Sequence, residues 1–222
     1  MTFGEIYSRV AFMVWGNSTV PTGTVGILTG DEGLIAQTHK DIMREYNYWF
    51  MHTTVAFDTV ADQASYALPS DYKELIDAQF KANGQEFFID PMSHMAMKVA
   101  QQEFWTTFNG SAEYPTHYEI SDTSIVLYPK PNAARECHIC YWKFLTGPTT
   151  SFVDGTSSES NDLTSAAGDA IAYFAASRIL EMLDEFQKSV IYFQRGQAII
   201  DRLRQEDKRR RSKFEDLDYR SF

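Results

Sequence analysis

Residue type and spacing first suggest chemistry at Cys137-His138-Ile139-Cys140. A C-x-x-C pair can ligate zinc or carry out thiol–disulfide exchange. A zinc site needs two further ligands, and His94 and His117 are the nearest candidates. The surrounding run, RECHICYWKF over 135–144, reads as a strand. In a strand, positions 137 and 140 point to opposite faces and cannot share one ion. A redox pair would instead sit at a helix start after a strand. The pair therefore reads as two reduced cysteines in an apolar strand. With two cysteines in the whole chain, a disulfide framework is also out.

Other chemistry is equally thin. The stretch GNSTVPTGTVGILTG over 16–30 is rich in Gly and Thr but lacks the lysine of a phosphate loop. No G-x-S-x-G elbow and no Gly-rich dinucleotide fingerprint follows a strand. His39 and His52 have no second ligand at helical spacing and read as ordinary side chains. Asp184-Glu185 and Glu215-Asp216 are adjacent acids of the kind that solvent covers, whereas paired catalytic carboxylates need a cleft. The expectation is no catalytic residue, no metal and no cofactor. An enzyme with an unrecognised site would need a deep pocket with convergent acids.

The chain of 222 residues and 25.4 kDa can bury roughly 70% of its unfolded surface. Hydrophobic residues are 44% and charged residues 23%, which excludes a wholly disordered chain. No apolar run reaches the roughly 18 residues of a membrane span. The start, MTFGEIYSRV, does not read as a signal peptide. Thirty acids against twenty bases leave a net charge of −10, which argues against a general nucleic-acid coat. The charge is uneven: DRLRQEDKRRRSK, residues 201–213, holds seven bases and three acids, a net of +4 that leaves −14 elsewhere. Such a segment either meets something acidic or is a solvated helix end whose bases complement the dipole. Sixteen Phe, twelve Tyr and four Trp fit a large interaction surface as well as a core.

The elements follow from periodicity. Residues 2–15 read as a helix with a Thr2/Glu5 capping box. After the loop 16–30, residues 31–51 read as a second helix that Asp31 can cap. Strand patterns take over at 53–58, 66–68, 74–80 and 85–89, with Asn83-Gly84 as a hairpin turn. Residues 92–105 read as a short helix, and 117–121 and 124–128 as strands around Asp122. The strand 135–144 is the last. The stretch TGPTTSFVDGTSSESND, 146–162, reads as a linker. Two helical stretches follow, 163–184 and 188–212, an antiparallel pair if broken near 184–187 and one long helix otherwise. Met182 and Leu183 fall in the apolar band of the first stretch, and Val190 in that of the second. The expected fold is α+β: a helical bundle from both chain ends, 1–52 and 163–212, with a small antiparallel β subdomain inserted at 53–145. The linker 146–162 joins them, and 213–222 forms an extended tail. Both polar loops, 16–30 and 146–162, are expected to order on assembly.

The ordered motifs resemble a family. They are Tyr46-Asn47-Tyr48-Trp49-Phe50, then Tyr66-Ala67-Leu68-Pro69-Ser70-Asp71-Tyr72, then Tyr114-Pro115-Thr116-His117-Tyr118. Ile125-Val126-Leu127-Tyr128-Pro129-Lys130-Pro131 and Tyr141-Trp142-Lys143-Phe144 follow, and last an alanine-rich helical pair. Over about residues 31–205 the chain resembles the head–tail adaptor (connector) proteins of tailed bacteriophages, especially short-tailed ones. The resemblance implies a structural virion protein of the neck, assembled in the host cytoplasm. It implies a homo-oligomeric ring, commonly of a dozen copies, that docks under the portal protein. The ring would extend the DNA channel and offer a platform to the tail, nozzle or next neck protein. Double-stranded DNA would pass the lumen without specific binding, which suits an acidic body. No membrane is implied.

Residues can be matched to these roles. Trp49 and Phe50 are expected to anchor the β subdomain, and Tyr118 and Tyr128 to pair across a hairpin. Arg209, Arg210 and Arg211 with Phe214, Leu217, Tyr219 and Phe222 are expected to dock on the portal, ordering as they bind. Ala167, Ala170, Ala172 and Ala176 are candidates for the subunit interface, or else pack within the subunit. A stopper or tail-tube terminator is a close variant. The alternative from another class is a nucleic-acid-binding module using 202–213, with salt-sensitive affinity for DNA.

Overall fold

The computed structural model describes residues 1–18, 20–82, 85–93, 95–96, 98–99 and 111–218, without the side chains of 82 and 212–218. The fold is α+β and divides into two compact units. Met1–Met51 and Leu145–Phe222 form a helical unit, and His52–Phe144 form a β-rich unit.

In the helical unit, α1 spans Phe3–Trp15. The Thr2 hydroxyl accepts from the Glu5 amide at 3.1 Å, and the Glu5 carboxylate accepts from the Thr2 amide at 2.8 Å. This closes the predicted capping box. Phe3, Ile6, Tyr7 and Val10 form the buried face at helical spacing. A single turn, α2 (Val25–Leu28), interrupts the expected loop 16–30 and buries Leu28. The helix α3 is Leu34–Glu45, shorter than the expected 31–51. Its cap position is Gly33, not Asp31, and a Cβ at 33 would lie 2.3 Å from the Thr29 carbonyl oxygen. Trp49–Met51 is a separate 3-10 turn.

The stretch expected to be a linker is part of this unit's core, which corrects the sequence reading. Phe152 is fully buried and packs on Phe3 and Tyr7 at ring distances of 6.1 and 6.3 Å. Its carbonyl accepts from the Gly30 amide at 2.8 Å, and the Glu159 carbonyl accepts from the Phe3 amide at 2.8 Å. The Glu159 carboxylate accepts from the Thr149 hydroxyl and amide and from the Ser151 hydroxyl, which holds it below the ordinary glutamate range. At Gly4, an added Cβ would meet the Ser157 and Gly155 carbonyl oxygens at 2.5 and 2.6 Å. The many Ser and Thr thus form turns that carry one aromatic plug inward.

Two helices complete the unit. The helix α4 is Asp162–Met182, capped by Asn161, whose side chain accepts from the Thr164 amide at 2.9 Å. It kinks at Ala167, where φ is −141° and ψ is 29°. The helix α5 runs from Phe186 to Asp218, so residues 213–218 are helical rather than extended.

In the β-rich unit, one sheet has the order β1-β10-β3-β4, with β1 at His52–Asp58, β3 at Tyr72–Ala82, β4 at Gln85–Phe88 and β10 at Glu136–Lys143. The second has the order β2-β8-β7-β5, with β2 at Ser65–Ala67, β5 at Asp90–Pro91, β7 at His117–Ser121 and β8 at Ser124–Tyr128. A short pair joins β6 (Ser111–Ala112) to β9 (Lys130–Pro131). Both sheets feed one core, which includes Phe80, Ile125, Leu127, Ile139 and Tyr141. Ala82 pairs with Gln85, and the turn residues 83 and 84 lie outside the described residues. The expected helix 92–105 is only partly described: Met95, Ala96, Lys98 and Val99 are helical. Tyr118 pairs with Leu127, while Tyr128 pairs with His117. The expected Tyr118–Tyr128 pair is therefore off by one residue, which puts the two rings on opposite faces. Tyr118 joins the core.

Candidate assembly site

The two cysteines of the C-x-x-C spacing lie on opposite faces of β10. Cys137 is buried and its thiol is pushed up to about 12 by desolvation, which makes it inert at neutral pH. Cys140 lies on the other face, with its sulfur 3.0 Å from the Thr54 hydroxyl. Among the described residues, no group of three His, Cys, Asp or Glu side chains could hold a metal ion. A cavity of about 310 Å³ gathers Asp169, Arg202 and Glu206 beside Gly168 and Met1. Its two acids are engaged, Asp169 by Arg9 and Glu206 by Arg202.

The surface that stands out is built by the α4–α5 hairpin. The two helices run antiparallel: Tyr173 stacks on Tyr192 at 5.8 Å, Phe174 meets Phe193 at 5.4 Å and the Ser177 and Ser189 hydroxyls lie 3.0 Å apart. Asp184 makes the turn in the left-handed region, at φ 60°. The Glu185 amide donates to the Leu180 carbonyl at 2.8 Å, satisfying an orphan acceptor of α4.

The inner face of α5 carries Ser189, Gly196, Ile200, Leu203 and Asp207, at helical spacing. Opposite it stand Phe174 and Ser177 of α4: the Phe174 ring lies over Gly196, where an added Cβ would come within 3.0 Å of it, and Ser177 meets Ser189. Met182, Leu183, Phe186, Val190, Ile191 and Phe193 are 49% to 62% exposed. The apolar bands expected to bury Met182, Leu183 and Val190 therefore lie partly outside. The true inner face recurs after seven and then every three or four positions, at 189, 196, 200, 203 and 207, and three of these five are small or polar: Ser189, Gly196 and Asp207.

The interface candidates on α4 pack within the chain. Ala167, Ala170, Ala172 and Ala176 are all buried inside the chain. They serve the subunit's own helix packing.

At the far end of the hairpin, Asp207 is a fully buried acid. Its carboxylate accepts from the Trp49 amide at 2.7 Å and from the Tyr46 hydroxyl at 2.9 Å, and pairs with Arg211 at 2.8 Å. Burial and the bond to Asp207 both raise the Tyr46 phenol pKa. Arg204 pairs with Glu45 at 2.9 Å, and Arg211 also donates to the Asn47 carbonyl. Arg210 lies 4.4 Å from the centre of the Trp49 ring. Phe50 is buried and stacks on Tyr48 at 5.4 Å, within the helical unit. Of the expected docking arginines, Arg211 is tied to Asp207 and Asn47, while Arg209 and Arg210 are exposed, Arg210 against Trp49, and Arg209 is also engaged. The side chains of Phe214 and Leu217, and Tyr219 and Phe222 entirely, lie outside the described residues.

One buried group titrates. His39 is fully buried and packs edge-on to Phe3 at 5.5 Å. The Asn161 side-chain nitrogen lies 2.7 Å from His39 Nε2 and donates to the Thr146 carbonyl, while Asn161 Oδ1 accepts from the Thr164 amide. That fixes the amide, so Nε2 accepts and the neutral ring carries its proton on Nδ1. Burial lowers the pKa from 6.5 to about 4. The unfolded chain takes up this proton below pH 6.5 while the folded chain resists it to about 4. Stability is therefore full above 6.5 and falls with falling pH, by about 3 kcal/mol by pH 4. Urea unfolding should show that slope in wild type and lose most of it in His39→Gln; parallel slopes would refute the assignment.

No described helix is long and apolar enough to cross a membrane. No curated protein matches the chain. The SU10 adaptor protein family, in contrast, matches residues 1–215, which take in the whole hairpin up to its basic end and nearly all of both units. With that span covered, the chain belongs to the SU10 adaptor proteins, a family of phage head–tail adaptors.

Proposed function

We infer that the protein is a structural part of the virion neck, an adaptor that forms a ring under the portal, extends the DNA channel and gives the tail its platform. The family match across residues 1–215 carries this reading. A net charge of −10 supports it, since a predominantly acidic body does not retain DNA. The alternative, a nucleic-acid module at 202–213, is disfavoured by the pairing of three of its seven bases with acids of this chain. Arg202 pairs with Glu206, Arg204 with Glu45, and Arg211 with Asp207.

Portal docking falls to the residues beyond Arg211, with Phe214, Leu217, Tyr219 and Phe222 as apolar contacts. The test is negative-stain imaging of the protein mixed with the portal from the same genome. A second ring should appear under the portal with the full chain and be absent with residues 212–222 deleted. This deletion spares Asp207 and Arg211, so the helical unit should melt as wild type does. A ring that persists without 212–222 rejects the docking segment; no ring with either chain, alongside salt-sensitive DNA binding, rejects the adaptor reading.

A further inference from the structure

The two ends of the α4–α5 hairpin differ in kind. The turn end exposes Met182, Leu183, Phe186 and Val190. At roughly half exposure each, these side chains present on the order of 400 Å² of apolar surface. A stable interface covers about 800 Å² per partner, and the largest apolar patches on monomers reach about 300–600 Å² and are often functional. The patch thus lies within that range and supplies about half of one partner's face. It is also acidic at its edge: residues 181–188 hold Glu181, Asp184 and Glu185 against Lys188 alone. Lys188 is itself paired with Glu185 at 3.2 Å.

The other end of α5 has the complementary character. Lys208, Arg209 and Arg210 are exposed in a row, and Trp49 is 46% exposed with Arg210 against its ring. Phe186 and Arg210 are 24 positions apart on one helix, roughly 36 Å along its axis. An apolar surface edged with acids therefore stands at one end, and an aromatic surface edged with bases at the other. A surface that fits a different surface of the same molecule makes a heterologous contact, which closes into a ring when its rotation allows.

We propose that the occupant of the apolar turn end is a second copy of this chain, which presents its Trp49–Arg210 end. The contact rests on the adaptor reading and gives the ring its subunit interface. Leu183 and Phe186 pack against Trp49 of the next copy, while Asp184 and Glu185 face Lys208, Arg209 and Arg210. The turn surface supplies the buried area, and the charges set the direction of the contact and disfavour turn-to-turn pairing.

The test uses the full chain in sedimentation velocity over a concentration series reaching about 1 mM. Wild type should self-associate. Phe186→Asp should weaken association roughly 30-fold or more, the loss expected of a central aromatic contact. The double substitution Arg209→Glu with Arg210→Glu should do the same. Each variant keeps one good end, so an equimolar mixture should form a dimer that does not extend. Phe186→Leu should restore association, and unchanged melting of every variant shows that folding is intact. Three results overturn the proposal: a wild-type chain still monomeric at the highest concentration, a doubly substituted chain that still dimerises, or a mixture with no dimer. Portal binding by wild type, imaged in parallel, reports on the adaptor reading separately. A chain that binds portal through Phe186 without self-associating keeps that reading and moves the patch to the portal contact.

Discussion

Replacing Phe152 by alanine lowers the stability of the helical unit by about 4 kcal/mol. The side chain is fully buried against Phe3 and Tyr7, and the backbone around it is held by the Gly30 and Phe3 amides. Removing the ring leaves a cavity that α1 cannot fill, since Gly4 already lies against the Gly155 and Ser157 carbonyls. The neighbour supplies the control: Val153 is 60% exposed, so Val153→Ala should change stability by less than about 0.5 kcal/mol. With two units in the chain, a global melt mixes their transitions. Native-state hydrogen exchange at the α1 amides isolates the right one. Equal protection of α1 in both variants would return residues 146–162 to the linker that their composition suggests.

That contrast shows what composition hides. Gly, Ser, Thr and Pro report that a backbone turns, and turns occur equally in tethers and in loops folded onto a core. A single Phe among polar residues is the available clue. Where one local rule governs, the sequence is legible. The Thr2/Glu5 box starts α1. The period-two pattern of 136–141 makes β10, with Cys137 inward and Cys140 outward. Legibility fails where a partner decides. The hairpin of β7 and β8 is plain in the sequence, but its register, which separates Tyr118 from Tyr128, depends on a turn shifted by one residue. Helix α5 is equally plain, but its buried face is the one with Ser189, Gly196 and Asp207. Gly196 leaves room for the Phe174 ring and Ser189 meets Ser177, so fit across the hairpin outweighs hydrophobicity. The same inversion leaves Phe186 and Phe193 half exposed.

Asp207 is where an acid inside that inverted face should matter most. Asp207→Ala should cost about 4 kcal/mol, because bonds to a charged acceptor contribute about 1.5–3 kcal/mol each. The carboxylate accepts two of them, from the Trp49 amide and the Tyr46 hydroxyl. Arg211 adds little to the loss, because it retains the Asn47 carbonyl and partial access to water. Asp207→Asn keeps an acceptor for the Trp49 amide but turns a donor toward Arg211 or Tyr46, so about half the loss should remain. Unfolding in urea, with fluorescence as the reporter of the released Trp49, should rank the chains wild type, Asn, Ala. A penalty below about 1 kcal/mol for alanine would mean that water replaces the carboxylate and that the segment 46–51 is held by its aromatic rings alone. The comparison also separates folding from assembly. Asp207→Ala disturbs Trp49 and Arg210 by loosening the turn beneath them, so it should lose stability and self-association together. Arg209→Glu with Arg210→Glu alters the same surface from outside and should lose self-association alone.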